Sequence, residues 1–194
     1  MRKVLVALFA MLFMMGGSAG FVTAQSGTAD ATPEASPAAN KSEAAAGSDT
    51  NPVDPAIGDT VTLFAVNGAA VGTMTVTDAE RDWQGFDKYQ EPENGTEFVA
   101  FTIQVESTTS RGTMDISPYD FGLQDGQSFF WSTAYATNED SGDEVQVLRD
   151  ELNLAGGETA RFLIVFQVYQ DQPLQHLFWS PDDHLVTLAD LSDI

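Results

Sequence analysis

Hydrophobic and polar residues alternate along most of the chain after Ile57, which is the pattern of strands with one buried face. The segment 97–106 shows the pattern most clearly. Its apolar face carries Val99, Phe101, Ile103 and Val105, and its opposite face carries Ala100, Thr102, Gln104 and Glu106. We therefore predict a strand here, with one face in the core and the other in water.

Turn residues divide the rest of this region into further short strands. Three dipeptides are suited to tight turns: Asn67-Gly68, Asp125-Gly126 and Gly156-Gly157. The strands predicted between such turns are 60–66, 71–77, 121–123, 129–135, 159–169, 174–179 and 185–188. The segment 159–169 is apolar on both sides, which predicts a central strand covered in part on both faces.

Helical periodicity is weak in this region, and the segment 145–154 is the best candidate for a short helical turn. Seven or eight short strands are typical of an all-β fold of the immunoglobulin-like, antiparallel β-sandwich type. The long connections 82–95 and 138–149 resemble the crossovers of a Greek key, so they favour the sandwich. A small antiparallel barrel is the alternative.

The N-terminal segment has the order of an export signal. Arg2 and Lys3 precede an apolar run over 4–15, and Val22-Thr23-Ala24 suits the site that a signal peptidase reads. We predict that residues 1–24 are a signal peptide, so that the mature protein is secreted and does not insert into the membrane. The alternative is that Met1 to Ala24 is retained as an anchor, since a spanning helix needs about 20 apolar residues.

The composition changes abruptly after the export signal. Residues 25–55 are dominated by Ala, Ser, Thr, Pro, Gly and acidic residues, and Val53 is their only large aliphatic residue. Such a segment buries too little apolar surface to offset the entropy lost on ordering. The sequence therefore predicts a disordered Ala/Ser/Pro-rich linker at 25–55 and a folded domain at 56–194.

Charge narrows the range of partners. The chain has 29 acidic and 8 basic residues, which gives a formal net charge of -21. Nucleic-acid binding needs clustered Lys and Arg, so nucleic acid is not an expected partner. The chain has no cysteine, which excludes disulfides, thiolate metal sites and cysteine nucleophiles.

Three segments resemble a bacterial immunoglobulin-like domain-of-unknown-function family, DUF4352. They are the Gly-led strand at 95–107, the strand and hairpin at 120–125, and the turn and strand from Leu154 to Phe166; the stretch 174–188 also fits. The resemblance covers the chain from Val71 onward and implies a secreted or surface-tethered sandwich module, akin in fold to a mycobacterial secreted antigen. It implies no catalytic, cofactor-binding or metal residue. Many members are lipoproteins, whereas this chain lacks the cysteine that lipid attachment requires.

One histidine lies beside carboxylates in the sequence and is a candidate for catalysis. His184 follows Asp182 and Asp183, and a carboxylate beside an imidazole can orient it as a base. The surrounding Ser-Pro-Asp-Asp-His stretch is also typical of an exposed turn. We therefore predict no catalytic residue, with a secreted hydrolase that uses carboxylates and His184 as the alternative.

An acidic segment at 138–144 gathers oxygen ligands between Asn138 and Glu144 around a glycine. Calcium accepts such ligands in irregular loops, although the order is not that of an EF-hand. A solvated loop in a very acidic protein is the simpler interpretation. We therefore assign no metal and no cofactor, and keep a calcium-stabilised structural domain as a further alternative.

Aromatic residues in turns are the remaining candidates. Trp83, Phe86 and Tyr89 lie in a polar connection, where aromatics serve recognition or fold back onto the core; we expect the second. Phe130 is the residue of the Phe129-Phe130-Trp131 run that alternation is expected to turn away from the core. The expected function is a non-catalytic extracellular module that binds or scaffolds, with an extracellular protein or glycan as its partner.

Overall fold

Ten β-strands and one 3₁₀ turn form the regular structure of residues 51–138, 145–181 and 184–194, which are the residues that this computed structural model describes. The strands are β1 (Thr60–Phe64), β2 (Ala70–Glu80), β3 (Thr96–Ser107), β4 (Thr113–Ile116), β5 (Phe121–Asp125), β6 (Phe130–Ser132), β7 (Leu152–Ala155), β8 (Thr159–Tyr169), β9 (Leu174–Trp179) and β10 (Val186–Asp190). The predicted signal peptide and residues 25–50 of the predicted linker lie outside the described residues. Within the described part, no helix is long and apolar enough to cross a membrane.

Two four-stranded antiparallel sheets make an immunoglobulin-like sandwich. The first sheet has the order β1-β2-β3-β8, and the second has the order β10-β9-β5-β6. β4 and β7 form a separate two-stranded sheet. The all-β sandwich prediction is confirmed, since among the described strands neither large sheet closes on itself as a barrel would.

The core lies between the two sheets, where their inner faces meet. Phe101 and Phe166 pack edge to face with ring centroids 5.9 Å apart, and Phe121 meets Phe162 of the other sheet at 6.1 Å. The predicted apolar face of β3 is fully buried there. Each such aromatic buries roughly 150–250 Å² of apolar surface, so these rings supply much of the force that joins the sheets.

The outer face of the first sheet is also partly covered, which the alternation in β3 did not predict. Ala100 and Thr102 are buried, whereas Gln104 and Glu106 face solvent as expected. The cover comes from the connection after β2 and the segment after β6, which pack on Phe98 and Leu163. The prediction of a water-facing side is therefore wrong for the first half of β3, because these connections fold back across it.

β8 has two covered faces, as predicted, but it lies last in its sheet rather than at the centre. Its outer edge is paired with irregular chain instead of a full strand. Thr133 bridges Phe166, and Val147 forms a parallel bridge with Leu163. The Ala134 and Leu148 amides also donate to this edge, to the Val165 and Leu163 carbonyls at 2.7 and 2.9 Å. The middle of this long apolar edge, residues 163–166, is thereby covered against pairing with other chains.

The segment 145–154 contains no helical turn, so that prediction is wrong. Residues 146–148 pair with Leu163 of β8, and residues 152–154 belong to β7. The one helical turn described is a 3₁₀ turn at Pro118–Asp120, where the Ser117 hydroxyl accepts a hydrogen bond from the Tyr119 amide. Tertiary pairing outweighs local propensity here.

The opposite edge of the first sheet is capped by one side chain from before β1. The Asn51 side-chain amide donates to the Thr62 carbonyl at 2.8 Å and accepts from the Thr62 amide at 2.7 Å. A side-chain amide has the same donor and acceptor as a peptide unit, so Asn51 pairs β1 as a neighbouring strand would. Pro55 similarly accepts a hydrogen bond from the Asp190 amide of β10. Residues 51 and 55 therefore contact one sheet each.

The β5–β6 hairpin is organised around a buried carboxylate. Asp125 is 2% exposed, and one of its oxygens accepts from the amides of Gln127 and Phe129. The other accepts from the Trp131 indole N–H and from the Gln172 side-chain amide, each at 3.1 Å. Burial by itself would raise the pKa of Asp125, but these four donors outweigh it and lower that pKa.

We expect Asp125→Asn to lower the free energy of unfolding at pH 7 by about 1–3 kcal/mol, because an amide NH₂ would face two other N–H donors. The lowered pKa means that the carboxylate stabilises the fold above about pH 4, the unfolded value, and loses this contribution as the pH falls through the lower folded value. The difference between wild type and variant should therefore shrink in acid. Urea denaturation at pH 7 and at pH 3 measures the difference in unfolding free energy at each pH.

The matched control is Asp78→Asn, which makes the same chemical change on an exposed side chain of β2. It should leave stability within about 0.5 kcal/mol at both pH values. Equal effects of the two substitutions at pH 7 would contradict the role given to the buried carboxylate.

Candidate functional site

A groove of about 690 Å³ lies outside the covered face of the first sheet. Among the described residues, one wall is the loop 87–89, and the other is formed by residues 137–138, 146–147 and 149. The described residues around it come from three separate parts of the sequence. We call this cavity the basic groove, after Lys88 and Arg149 in its described lining.

Hydrogen bonds fix the two walls to each other. The Asp87 amide donates to the Thr137 carbonyl at 2.8 Å. The Gln90 side-chain oxygen accepts from the Thr137 amide at 2.6 Å and from the Thr137 hydroxyl at 2.7 Å. Phe86 forms a β-bridge with Asn138. The walls are therefore held by backbone pairing and do not depend on surface side chains alone.

Asn138 holds the second wall together. Its amide nitrogen donates to the Val145 carbonyl at 2.9 Å, and its amide oxygen accepts from the Val147 amide at 2.7 Å. The same segment is bonded to β8 on its other side through Leu163. Residues 145–147 are thus fixed between β8 and Asn138.

Aromatic packing supports the groove from below. Trp83, Phe86 and Phe98 form three edge-to-face pairs, with ring centroids 6.2, 6.4 and 5.4 Å apart. Trp83 and Phe86 therefore fold back onto the sandwich, as expected, although they cover a sheet face rather than one end of the core. Tyr89 departs from that expectation, because its side chain is 84% exposed.

Two basic side chains lie along the described lining of this groove. Lys88 and Arg149 both line it, and the described part of the chain holds only three other basic side chains: Arg81, Arg111 and Arg161. Arg81 is paired with the buried carboxylate of Glu97. Among the described residues, neither Lys88 nor Arg149 makes an ion pair. In a molecule of net charge -21, such a pair of cations stands out.

Tyrosine side chains flank these cations. The Lys88 ammonium lies 5.1 Å from the centroid of the Tyr89 ring, and the Arg149 guanidinium lies 4.8 Å from that of Tyr135. Arg149 also donates a hydrogen bond to the Tyr135 hydroxyl. Stacking and hydrogen bonding together restrict the guanidinium, so its remaining donors have a defined direction.

A smaller pocket of about 80 Å³ continues from Arg149 and is lined by Tyr119 and Tyr135. These two tyrosines are 83% and 74% exposed. Three of the four tyrosines in the chain therefore surround Arg149 and Lys88. We call the set Lys88, Tyr89, Tyr119, Tyr135 and Arg149 the tyrosine-basic surface. The sequence analysis identified only Tyr89 as a candidate, because the other members become neighbours only in the folded chain.

The alternative hydrolase site can be placed only in part. His184 is exposed and lines an open groove with Asp115 and Trp179, while Asp182 and Asp183 lie outside the described residues. One Asp115 oxygen accepts from the Thr113 hydroxyl at 2.8 Å. The other histidine, His176, lies 3.2 Å from the Gln124 side-chain oxygen, measured at its Nδ1.

The calcium hypothesis rests on residues that are mostly not described, since 139–144 fall outside the described ranges. Asn138 is described, and both ends of its side-chain amide are used within the second wall of the groove. Within 51–138, 145–181 and 184–194, no three His, Asp or Glu side chains are grouped so that they could hold a metal ion.

A second set of exposed aromatics lies at β6 of the second sheet. Phe130 is 52% exposed and packs on Phe178 at 5.7 Å, so the expectation that it turns away from the core is confirmed. Phe129 is exposed as well and meets Trp131 edge to face at 5.0 Å. Trp131 points inward and contacts the core.

A family model described as a domain of unknown function, DUF4352, matches residues 57–182. No curated protein matches the chain. Among solved structures, the secreted protein MPT63 of Mycobacterium tuberculosis is similar at 15% identity and a TM-score of 0.49, over 70% of this chain and 95% of that one. The ycdA protein of Bacillus subtilis is similar at 16% identity and a TM-score of 0.47, over 63% of this chain and 37% of that one. This chain thus spans little more than a third of the ycdA chain.

We expect Asn138→Ala to loosen the second wall of the groove, since it removes two hydrogen bonds and leaves the Val147 amide without its acceptor. The cost should be about 1–2 kcal/mol, most of it local. Amide hydrogen exchange should accelerate at Val147 and stay unchanged at Val105 in the core of β3. Asn94→Ala, a change at an exposed loop position, is the control and should alter neither rate. Unchanged exchange at Val147 would refute the bracing role of Asn138.

Proposed function

The chain belongs to the DUF4352 family of domains of unknown function, and we propose that it is a secreted or surface-tethered, non-catalytic module that binds an extracellular protein or glycan. The predicted export signal supports the location. The tyrosine-basic surface supports the binding role, and it is the single observation on which the proposal rests.

Tyrosine and arginine are the side chains that binding surfaces use most effectively. A tyrosine offers a large apolar face and a hydroxyl at a low entropic cost, because only two side-chain torsions must be fixed. Arginine and tyrosine are also enriched among the residues that dominate binding energies. Three tyrosines with 74% to 84% of their surface exposed leave most of that area available to a partner.

The chemistry of these side chains suits binding better than catalysis. Tyrosine, lysine and arginine ordinarily keep their protons at neutral pH, so they donate hydrogen bonds and stack rather than act as general bases. The rigid frame beneath them favours recognition, because a preorganised surface loses less entropy when a partner binds.

The proposal predicts that the purified full chain sediments with cell envelope prepared from the bacterium that produces it. Tyr119→Ala combined with Tyr135→Ala should weaken this retention by about tenfold or more, which corresponds to 1.4 kcal/mol or more of lost contact. Sedimentation of labelled protein over a range of envelope concentrations gives the apparent affinity.

Tyr169→Ala is the matched control, because Tyr169 is an exposed tyrosine outside the tyrosine-basic surface. It should leave retention within about twofold, a change below 0.5 kcal/mol. Thermal melting of each variant distinguishes lost binding from lost folding. Full retention by a folded Tyr119/Tyr135 double variant would refute the proposed surface.

A further inference from the structure

The open groove that His184 lines lies where parts of all three sheets meet, and its volume is about 280 Å³. Phe64 ends β1, Met114 lies in β4 and Trp179 ends β9, so each sheet contributes to the described lining. Trp179 lines this cavity and neither of the two cavities beside Arg149. We call the cavity the Trp179 pocket.

Trp179 carries a buried hydrogen-bond donor that has no acceptor in the described part of the chain. Its side chain is 5% exposed, and its indole Nε1 is the one buried side-chain nitrogen or oxygen without a partner among the described residues. Buried polar groups in proteins nearly always have a partner, because an unpaired one destabilises the fold. The Trp131 indole, by contrast, donates to Asp125. The Trp179 N–H therefore indicates an acceptor that comes from outside the chain.

Apolar side chains dominate the described lining of the Trp179 pocket. They include Phe64, Val66, Val71 and Met114. Gly72 lets Met114 pack closely on β2, since a Cβ at Gly72 would lie 2.7 Å from the methionine sulfur. Small-molecule sites combine walls of this kind with a few polar groups that orient the ligand.

The threonine hydroxyls of the lining already have partners in the chain. The Thr113 hydroxyl donates to Asp115 at 2.8 Å, and the Thr109 hydroxyl lies 3.2 Å from that of Ser107. A buried water typically makes about three hydrogen bonds to groups that otherwise lack partners. Since the Trp179 N–H is the one such buried group described, an apolar molecule with one acceptor fits the pocket better than a water does.

Negative charge near the pocket disfavours an anionic ligand. Asp115 lines it, and Asp182 and Asp183 stand in the chain between the lining residues Pro181 and His184. Carboxylates repel an anion, and burying any charge against apolar walls is costly. The acceptor is therefore an uncharged oxygen, such as that of a carbonyl or a hydroxyl group.

Backbone hydrogen bonds hold the walls in place. The Ala65 amide donates to the Ala69 carbonyl at 2.9 Å in the turn after β1, and the Ser180 amide donates to the Asp120 carbonyl at 2.7 Å beside the end of β9. A pocket that is formed before the ligand arrives loses less entropy on binding.

We propose that the Trp179 pocket binds a small, uncharged, mainly apolar organic molecule whose acceptor oxygen takes the hydrogen bond of the Trp179 indole N–H. The volume lies near the lower limit of small-molecule sites, about 300 Å³, so it suits a compact molecule rather than a polymer. The site shares no residue with the tyrosine-basic surface and does not depend on the binding role proposed for that surface.

The test follows the three tryptophan indole N–H signals of the full chain by NMR while three probes are added in turn. Acetophenone has a carbonyl oxygen on an apolar body, α-methylstyrene has the same shape with CH₂ in place of the oxygen, and benzoate is anionic. Trp83→Phe and Trp131→Phe assign two of the signals, so the third belongs to Trp179. We expect acetophenone to move the Trp179 signal to higher proton frequency and to bind about tenfold more tightly than α-methylstyrene or benzoate.

Equal binding of acetophenone and α-methylstyrene, or no binding of acetophenone, would overturn the proposal. Equal binding of benzoate would overturn the uncharged ligand class. This comparison uses the unaltered chain, so it decides the question even if a variant at Trp179 does not fold.

A substitution then locates the hydrogen bond. Trp179→Phe keeps an apolar ring but removes the N–H, so acetophenone and α-methylstyrene should bind this variant within about twofold of each other. Trp83→Phe is the matched control, because it makes the same change in the cluster beneath the basic groove, and it should keep the tenfold preference. A preference that persists in a folded Trp179→Phe variant would show that the acceptor does not meet this N–H, and the proposal would be wrong.

The outcome is separable from that of the proposed function. Tyr119 and Tyr135 lie outside the described lining of the Trp179 pocket, so their double variant should bind acetophenone as the unaltered chain does. Envelope retention can then fail while the Trp179 pocket binds its probe, and the reverse result is equally distinguishable.

Discussion

The first sheet must bury apolar side chains on both of its faces, and much of the remaining structure follows from this constraint. Inward residues of β3 and β8 fill the core, while Phe98, Leu163 and Val165 point the other way. Each large apolar side chain gains roughly 1.5–3 kcal/mol from burial, so leaving this outer face open would be costly. The connection after β2 and the segments on either side of 139–144 supply the cover, and the basic groove lies where those segments meet.

The same segments also pair with the outer edge of β8. A long strand at the end of a sheet presents unpaired amides and carbonyls that invite association with other chains. Here Ala134 and Leu148 occupy those groups. The position of Arg149, one residue after Leu148, is therefore determined by edge pairing, and so is that of Tyr135, one residue after Ala134. Residues that pair with β8 and residues of the tyrosine-basic surface are thus adjacent in the chain, so that surface is fixed to the sheet by backbone hydrogen bonds.

Strands with strong alternation could be predicted from the sequence. Segments whose conformation depends on contacts distant in sequence could not. β8 and β9 begin and end at the predicted residues because their apolar periodicity and flanking turns are unambiguous. The chain around Val147 has no such period, and its extended form depends on hydrogen bonds to Leu163, which is distant in sequence. Arg149 therefore fell in a predicted helical turn. Tyr119 and Tyr135 could not be predicted as members of this surface, because no local sequence feature places them beside Arg149. The scarcity of basic residues together with the small number of tyrosines is the one sequence feature that could have identified them as candidates.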